Sequence, residues 1–399
     1  MMNRQRGLLA QVSAAHLVSH FHIMTLPALL PLLPVAVGVS FVDLGIALGI
    51  FNIVTALVQI PMGYAVDRLG ARRLLLCGLA LGSASFALVF LYPTFEVLVL
   101  AMVFAGIANG VYHPSDYALL SRGIHVERMG RAFSVHTFAG FLGGALAPFI
   151  LISISSMFGI RWAFAVSSLI GLTAFVMIGL SGRNLCSDGV VARSLELKSN
   201  PIPHRPATTL AVMGLILFFM LLSLSTGAIE KFSVSALVQG FNVNLSTATS
   251  ALTAFLFAEA FGVLAGGVLA DRTRRHGMVA GIVFGVAALL IILVIVVPLP
   301  AVLLILTLAM AGFLSGSIAP SRDMLVRAAA QPGHEGRMFG IVSTGFNVGG
   351  VIGPILFGDF LDNGAASAVL WAAAGFMMMT TLIVLIQEAG MKRRLRPIG

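Results

Sequence analysis

The chain has 399 residues, 58% of them hydrophobic and only 10% charged, with a net charge of +9. So little polar surface excludes a soluble globular protein of this size and points to an all-α integral membrane protein. The basic excess is not the footprint of a nucleic-acid partner, as its distribution along the chain shows.

A membrane-crossing helix takes about 20 mainly apolar residues. Twelve such runs follow one another, at 9–34, 42–66, 74–92, 96–119, 131–156, 162–181, 208–236, 246–270, 278–298, 301–321, 338–358 and 366–388. They are long and continuous, without ten-residue alternation, which excludes a β-barrel. The run after Arg4 and Arg6 is long, punctuated by prolines and without a small-residue cleavage site, so it reads as a retained first span. All Lys and Arg residues except Arg161 and Lys231 fall in the two tails and in alternate loops. By the positive-inside rule that side, with both termini, is cytoplasmic. Only Lys198, Lys231 and Lys392 are lysines, the bias of a GC-rich bacterial genome, so the expected location is a bacterial inner membrane.

On the first span Ser13, His16 and His20 share an arc of about 60°, while His22 points elsewhere. After the second span comes a charged turn holding Gly63, Asp67, Arg68, Arg72 and Arg73. On the fourth span Asn109, His113 and Asp116 share an arc, within the stretch Tyr112, His113, Pro114, Ser115, Asp116. Polar groups are costly in hydrocarbon, so each stripe is expected to face a cavity or a partner helix. A single histidine serves equally well as glue between helices. Chelation by His16, His20 and His113 has no other support in the sequence, and no metal site is expected. Gly140 and Gly144 on span five, and Gly345 and Gly349 on span eleven, are spaced for close backbone packing.

Residues 182–207 form the most polar stretch, with Arg183, Asp188, Arg193, Glu196, Lys198, Arg205 and three prolines, and read as a linker between halves at 1–181 and 208–399. Cys77 and Cys186 match neither a disulfide framework nor metal spacing. Span seven carries Glu230 and Lys231 in its outer half, and Glu259 falls near the centre of span eight. A charged carboxylate at that depth is expensive, which makes Glu259 the first candidate for a proton-coupling acid. A buried pair with Lys231 or Arg322 is the alternative. A second charged turn holds Gly267, Asp271, Arg272 and Arg275, and span ten carries Ser315 and Arg322, with Asp323 at its cytoplasmic end.

The two turns share the pattern Gly-x-x-x-Asp-Arg, 204 positions apart. At a shift of 206, Gly106, Gly110, Pro114 and Ser115 match Gly312, Gly316, Pro320 and Ser321; Gly130, Arg131, Phe133, Gly144 and Pro148 match Gly336, Arg337, Phe339, Gly350 and Pro354. Two six-span halves from a duplication explain this agreement.

With these motifs the chain resembles the major facilitator superfamily of secondary transporters over essentially its whole length. The first turn departs from that family's pattern at Ala71 and the second at Arg274. Tyr112 to Asp116, followed by Gly130, Arg131, Phe133 and the glycines at 140, 143 and 144, resembles fosmidomycin-resistance-type exporters. Here the acid stands one place later than in that family, and His16 to His20 replaces its His-x-x-Asn-Asp. The resemblance implies two six-helix halves around a central cavity lined by spans one, four, seven and ten. His16, His20, Asn109, Tyr112, His113, Asp116, Glu230, Lys231, Ser315 and Arg322 are then substrate-cavity residues, with Glu259 and Asp116 for proton coupling. It also implies that the two charged turns latch the halves together. Asp67 is expected to accept hydrogen bonds near Gly336 and Arg337, and Arg68, Arg72 or Arg73 to pair with an acid on span four such as Asp116.

The expected function is proton-coupled export of a small organic molecule by alternating access; the alternative is uptake of a small organic anion by proton symport. The expected partners are that substrate and the lipid bilayer, with the protein a monomer and the proton gradient standing in for any cofactor. No Gly-x-x-x-x-Gly-Lys occurs, which argues against direct nucleotide hydrolysis. A membrane enzyme or a sensor is the remaining alternative: an enzyme would need a nucleophile with a positioned base, for which Pro114 between His113 and Ser115 gives no reason, and a sensor a sizeable soluble domain, for which the short loops leave no room.

Overall fold

The computed structural model describes residues 2–125, 128–181, 209–273, 275–330 and 335–394, and among these every regular element is helical. The chain divides into two compact units, Met1–Leu195 and Glu196–Gly399. The first contains α1 (Met2–Ile23), α2 (Thr25–Leu29), α3 (Phe41–Leu69), α4 (Ala71–Leu91), α5 (Phe95–Gly123), α6 (Met129–Phe158) and α7 (Ile160–Leu180). The second contains α8 (Thr209–Gly227), a π-helical turn (Ala228–Phe232), α9 (Ser233–Phe241), α10 (Leu245–Arg272) and α11 (His276–Val296). It continues with α12 (Ala301–Ser317), α13 (Ala319–Ala329), α14 (Glu335–Asp362) and α15 (Ser367–Arg394).

Helix boundaries follow local chemistry. Ser40 begins α3 with a reciprocal cap: its hydroxyl accepts from the Asp43 N–H at 3.0 Å, and Asp43 accepts from the Ser40 N–H at 2.9 Å. Asn244 starts α10 by accepting the Thr247 N–H at 2.8 Å. Gly70, at φ 92°, separates α3 from α4, which is the physical reason a glycine stands inside the charged turn.

Eleven of the described helical segments are long and apolar enough to cross a membrane. The run expected at 9–34 is not among them. It breaks at Met24 into α1 and α2, and Pro27, Pro31 and Pro34 each withhold a backbone N–H along the way. The tenth run also breaks, at Ile318, two residues before Pro320, and α13 carries on to Ala329. By contrast α5 runs through Pro114 and ends at Gly123, four residues beyond the expected end. On the outer helices α7 and α15, large apolar side chains such as Met177, Leu180, Leu382 and Ile386 point outward, as a hydrocarbon solvent allows.

Packing repeats from one unit to the other. In the first, α1 lies on α6, α3 on α5, and α4 on α7; in the second, α8 lies on α14, α10 on α12, and α11 on α15. The matching sequence motifs therefore sit on helices with matching neighbours. Arg72 shows how the charged turn is used locally. Its guanidinium donates to the carbonyls of Ile178 (2.6 Å), Gly179 and Ser181, closing the C-terminal end of α7, where carbonyls lack helical partners. Arg72→Ala is expected to destabilise the protein by about 1.5–3 kcal/mol, the range for hydrogen bonds from a charged donor. Thermal unfolding of the detergent-solubilised protein measures this, and an unchanged midpoint contradicts it.

Candidate functional site

Three helices of the first unit converge on one carboxylate. From α1 come His16 and His20, one turn apart, with ring centroids 4.6 Å from each other. From α5 come His113 and Asp116, and from α6 comes His136. The His16 ring stacks on His136 at 3.9 Å and stands 5.2 Å from His113. Asp116 Oδ2 lies 3.5 Å from His16 Nδ1 and 3.8 Å from His136 Nε2. His16, Asp116 and His136 are all buried, and Asp116 is 0% exposed. No hydrogen bond reaches either Asp116 oxygen, His16 Nδ1 or either nitrogen of His136.

The α6 backbone makes this approach possible. A Cβ on Gly140 would stand 2.6 Å from His16 Nε2 and 3.0 Å from His20 Cδ2, and one on Gly143 would strike the Leu17 carbonyl oxygen. His136 went unnoticed in the sequence, although it lies one turn before Gly140 and so shares the glycine face. That shared face was the available signal.

Other expected residues separate from the cluster. Asn109 donates to Thr55 Oγ1 at 3.4 Å and joins Tyr112, Ser19 and His22 around a small void between α1, α3, α4 and α5. His22 is tied to the Ser167 carbonyl of α7 at 3.0 Å, a structural role. The pairing expected between an arginine of the charged turn and Asp116 is corrected. Arg72 is taken by the α7 carbonyls, and Asp116 is enclosed by imidazoles. The acid and base instead trade places, with Asp67 of α3 accepting from Arg122 of α5 at 3.0 Å. Arg68 and Arg73 are exposed, as are Arg272 and Arg275 in the second turn. Gly63 and Gly267 have nothing within 4 Å of a built Cβ. The side chains of Asp271 and Arg337, and the surroundings of Gly336, lie outside the described residues.

The second unit has its own buried acid. Glu259, the fifteenth of 28 residues in α10, is 5% exposed, and its Oε2 has no hydrogen-bond partner. The charged groups that act on it are Glu230 and Arg322, of opposite sign. Glu230 and Lys231 occupy the π-helical turn between α8 and α9, half-buried. Such turns interrupt the regular backbone ladder and are frequent at functional sites. Arg322, on α13, donates to Asp323 at 2.9 Å and lies 5.4 Å above the Phe219 ring. Ser315 is buried without a hydrogen-bond partner on α12, and Arg322 stands on α13, beyond the break at Ile318.

The sequence pattern of the Major Facilitator Superfamily matches residues 12–235 and again 208–397, so between them the two matches cover both halves of the fold. The chain belongs to this superfamily. As a member of the Major Facilitator Superfamily it is a multi-pass membrane transporter and not an enzyme. It is 26% identical to the Fosmidomycin resistance protein of Escherichia coli (strain K12), over 72% of this chain and 70% of that protein. It is 24% identical to the protein of Oryza sativa subsp. japonica named Probable anion transporter 6, over 83% of this chain and 82% of the other. Among solved structures, an inward-facing, occupied bacterial homolog of the human lysosomal transporter Spinster superposes with a TM-score of 0.73. It has 14% identity over 96% of this superfamily member and 95% of the other chain, a likeness of fold alone.

Proposed function

We propose that the protein is a proton-coupled exporter of a small organic molecule, working by alternating access, with Glu259 as the acid that carries the proton. The reading rests on the surroundings of Glu259: a carboxylate at mid-helix, buried, with one oxygen unpartnered and with Glu230 and Arg322 acting on it in opposite senses. Its charge state therefore depends on which neighbour is nearer. That dependence lets a shift of helices take up or release a proton. The outward direction is supported by the relative named for resistance to fosmidomycin. In this reading the proton gradient is the energy source, the two charged turns latch the halves, and both termini are cytoplasmic in a bacterial inner membrane. The protein acts as a monomer.

Uptake of a small organic anion is the second reading, favoured by Arg322 and by the relative named as an anion transporter. Arg322 is already engaged by Asp323 and stacked over Phe219, which leaves it a weaker anion site. Proteoliposomes of defined orientation, carrying a pH-sensitive dye and challenged with a panel of small organic molecules that includes fosmidomycin, test both readings. Export predicts that a panel member drives proton movement opposite to its own. Movement in the same direction establishes uptake, and silence across the panel overturns proton coupling.

A further inference from the structure

We propose that His16, Asp116 and His136 form a binding site for one divalent transition-metal ion of the zinc kind, with His20 and His113 as its entrance ligands. The three side chains come from α1, α5 and α6. Each offers one ligand atom, and the three atoms lie within 4.8 Å of one another. Zinc holds imidazole nitrogen and carboxylate oxygen at about 2.0–2.2 Å, which sets ligand atoms on a tetrahedron roughly 3.3–3.6 Å apart. The two edges that meet at Asp116 Oδ2 measure 3.5 and 3.8 Å, and the third is within 4.8 Å.

The same distances argue against the ordinary alternative. Hydrogen bonds to oxygen run at about 2.7–3.2 Å, so neither imidazole bonds the carboxylate as placed. Buried polar atoms are almost always satisfied, yet here His16 Nδ1, both Asp116 oxygens and both His136 nitrogens are left over at one point. No Lys or Arg forms an ion pair with Asp116 among the described residues. A cation placed among these atoms takes up one atom of each side chain at once: His16 Nδ1, Asp116 Oδ2 and His136 Nε2.

The donor set selects the ion. Two imidazoles and one carboxylate suit zinc, cobalt, nickel or iron(II), whereas magnesium and calcium call for mainly oxygen ligands. A metal site also needs an entry path. His20 and His113 are half-buried, 4.6 and 5.2 Å from the His16 ring, and Tyr117, stacked on His113, is exposed. An ion arriving at the surface of the first unit meets one of these outer imidazoles before the inner three. The outer pair can also complete a fourth position.

The site lies in the first unit and is independent of the coupling role given to Glu259 in the second. The test uses tag-free, full-length protein, stripped with a chelator and equilibrated with zinc chloride in excess magnesium. One zinc per chain is expected to survive desalting and to raise the unfolding temperature, and cobalt(II) should give the strong visible absorption of a tetrahedral site. The isosteric variant Asp116→Asn and the polar replacement His136→Gln should weaken zinc by about 100-fold or more, beyond the 10–100-fold of an outer-shell partner. Their unfolding temperature without metal should stay at the wild-type value. Glu259→Gln should bind zinc like the wild type. Wild-type protein that holds no more zinc than the two variants overturns the site, as does zinc displaced by equimolar magnesium. Proton movement without zinc binding removes this proposal alone, and zinc binding without proton movement removes only the coupling reading.

Discussion

Glu259→Gln is expected to stop proton-driven transport while leaving substrate binding and substrate–substrate exchange in place. The amide keeps the shape and the hydrogen-bonding reach of the acid but cannot gain or lose a proton. In a coupled transporter the proton and the substrate are reciprocal ligands, each altering the other's affinity by the same factor. Coupling of that kind is typically ~5–150-fold in binding affinity, so removing the proton site should abolish that pH dependence of substrate affinity and with it the gradient-driven part of transport. Exchange at equal pH on both sides should stay within about twofold, since nothing in the substitution opens a cavity or strands a charge. If gradient-driven transport survives in Glu259→Gln vesicles at the wild-type rate, the proton travels on another group. Glu230, half-buried in the π-helical turn and acting on Glu259, is then the next to exchange. A loss of folded protein is not expected. Oε2 already lacks a partner, so the amide N–H₂ takes up a position no worse than the one it replaces.

The fold was legible because duplication writes each contact twice. Gly106 with Gly110 and Gly312 with Gly316 recur at one spacing on α5 and α12, and each pair sits against the equivalent partner helix, α3 or α10. Helix breaks were harder to read: hydrophobicity runs unbroken across Met24 and Ile318, and only the prolines nearby register the interruption. Pro114 shows why that cue is ambiguous, because α5 passes straight through it. At the site, His16 and His20 on one face and a central acid at Glu259 are one-dimensional features, visible in the letters. The arrival of His136 beside Asp116 is not, since it depends on how deeply Gly140 and Gly143 let α6 approach α1. Arg72 misled for a related reason. A guanidinium in a basic turn looks like a partner for any acid nearby, and the exposed carbonyls at the end of α7 leave no trace in the sequence.

Gly316→Val is expected to remove most folded protein from the membrane extract, and Gly312→Val to do the same. A Cβ on Gly316 would strike the carbonyl oxygen of Glu259, and one on Gly312 that of Phe255. The contact is mutual: Gly262 and Gly266 of α10 press on the carbonyls of Phe313 and Ser317 of α12. Two backbones in direct contact cannot make room by changing a rotamer, so the helices must part. Overpacking costs about 1–3 kcal/mol even where side chains can yield, and backbone against backbone lies at or above the upper end. Parting α10 from α12 also moves the backbone at Glu259, so any protein that does fold should show altered proton coupling. The control is Gly267→Ala on α10, five residues before the end of that helix, where nothing lies within 4 Å of the added methyl. It should unfold at the wild-type temperature. The first unit supplies a graded comparison, since a Cβ on Gly106 would stand 2.9 Å from the Phe51 carbonyl oxygen and one on Gly110 meets mainly the Val58 side chain, 3.0 Å away. Gly110→Ala should therefore be the milder lesion, and Gly316→Val unfolding at the wild-type temperature would show that α10 and α12 are not locked by their glycines.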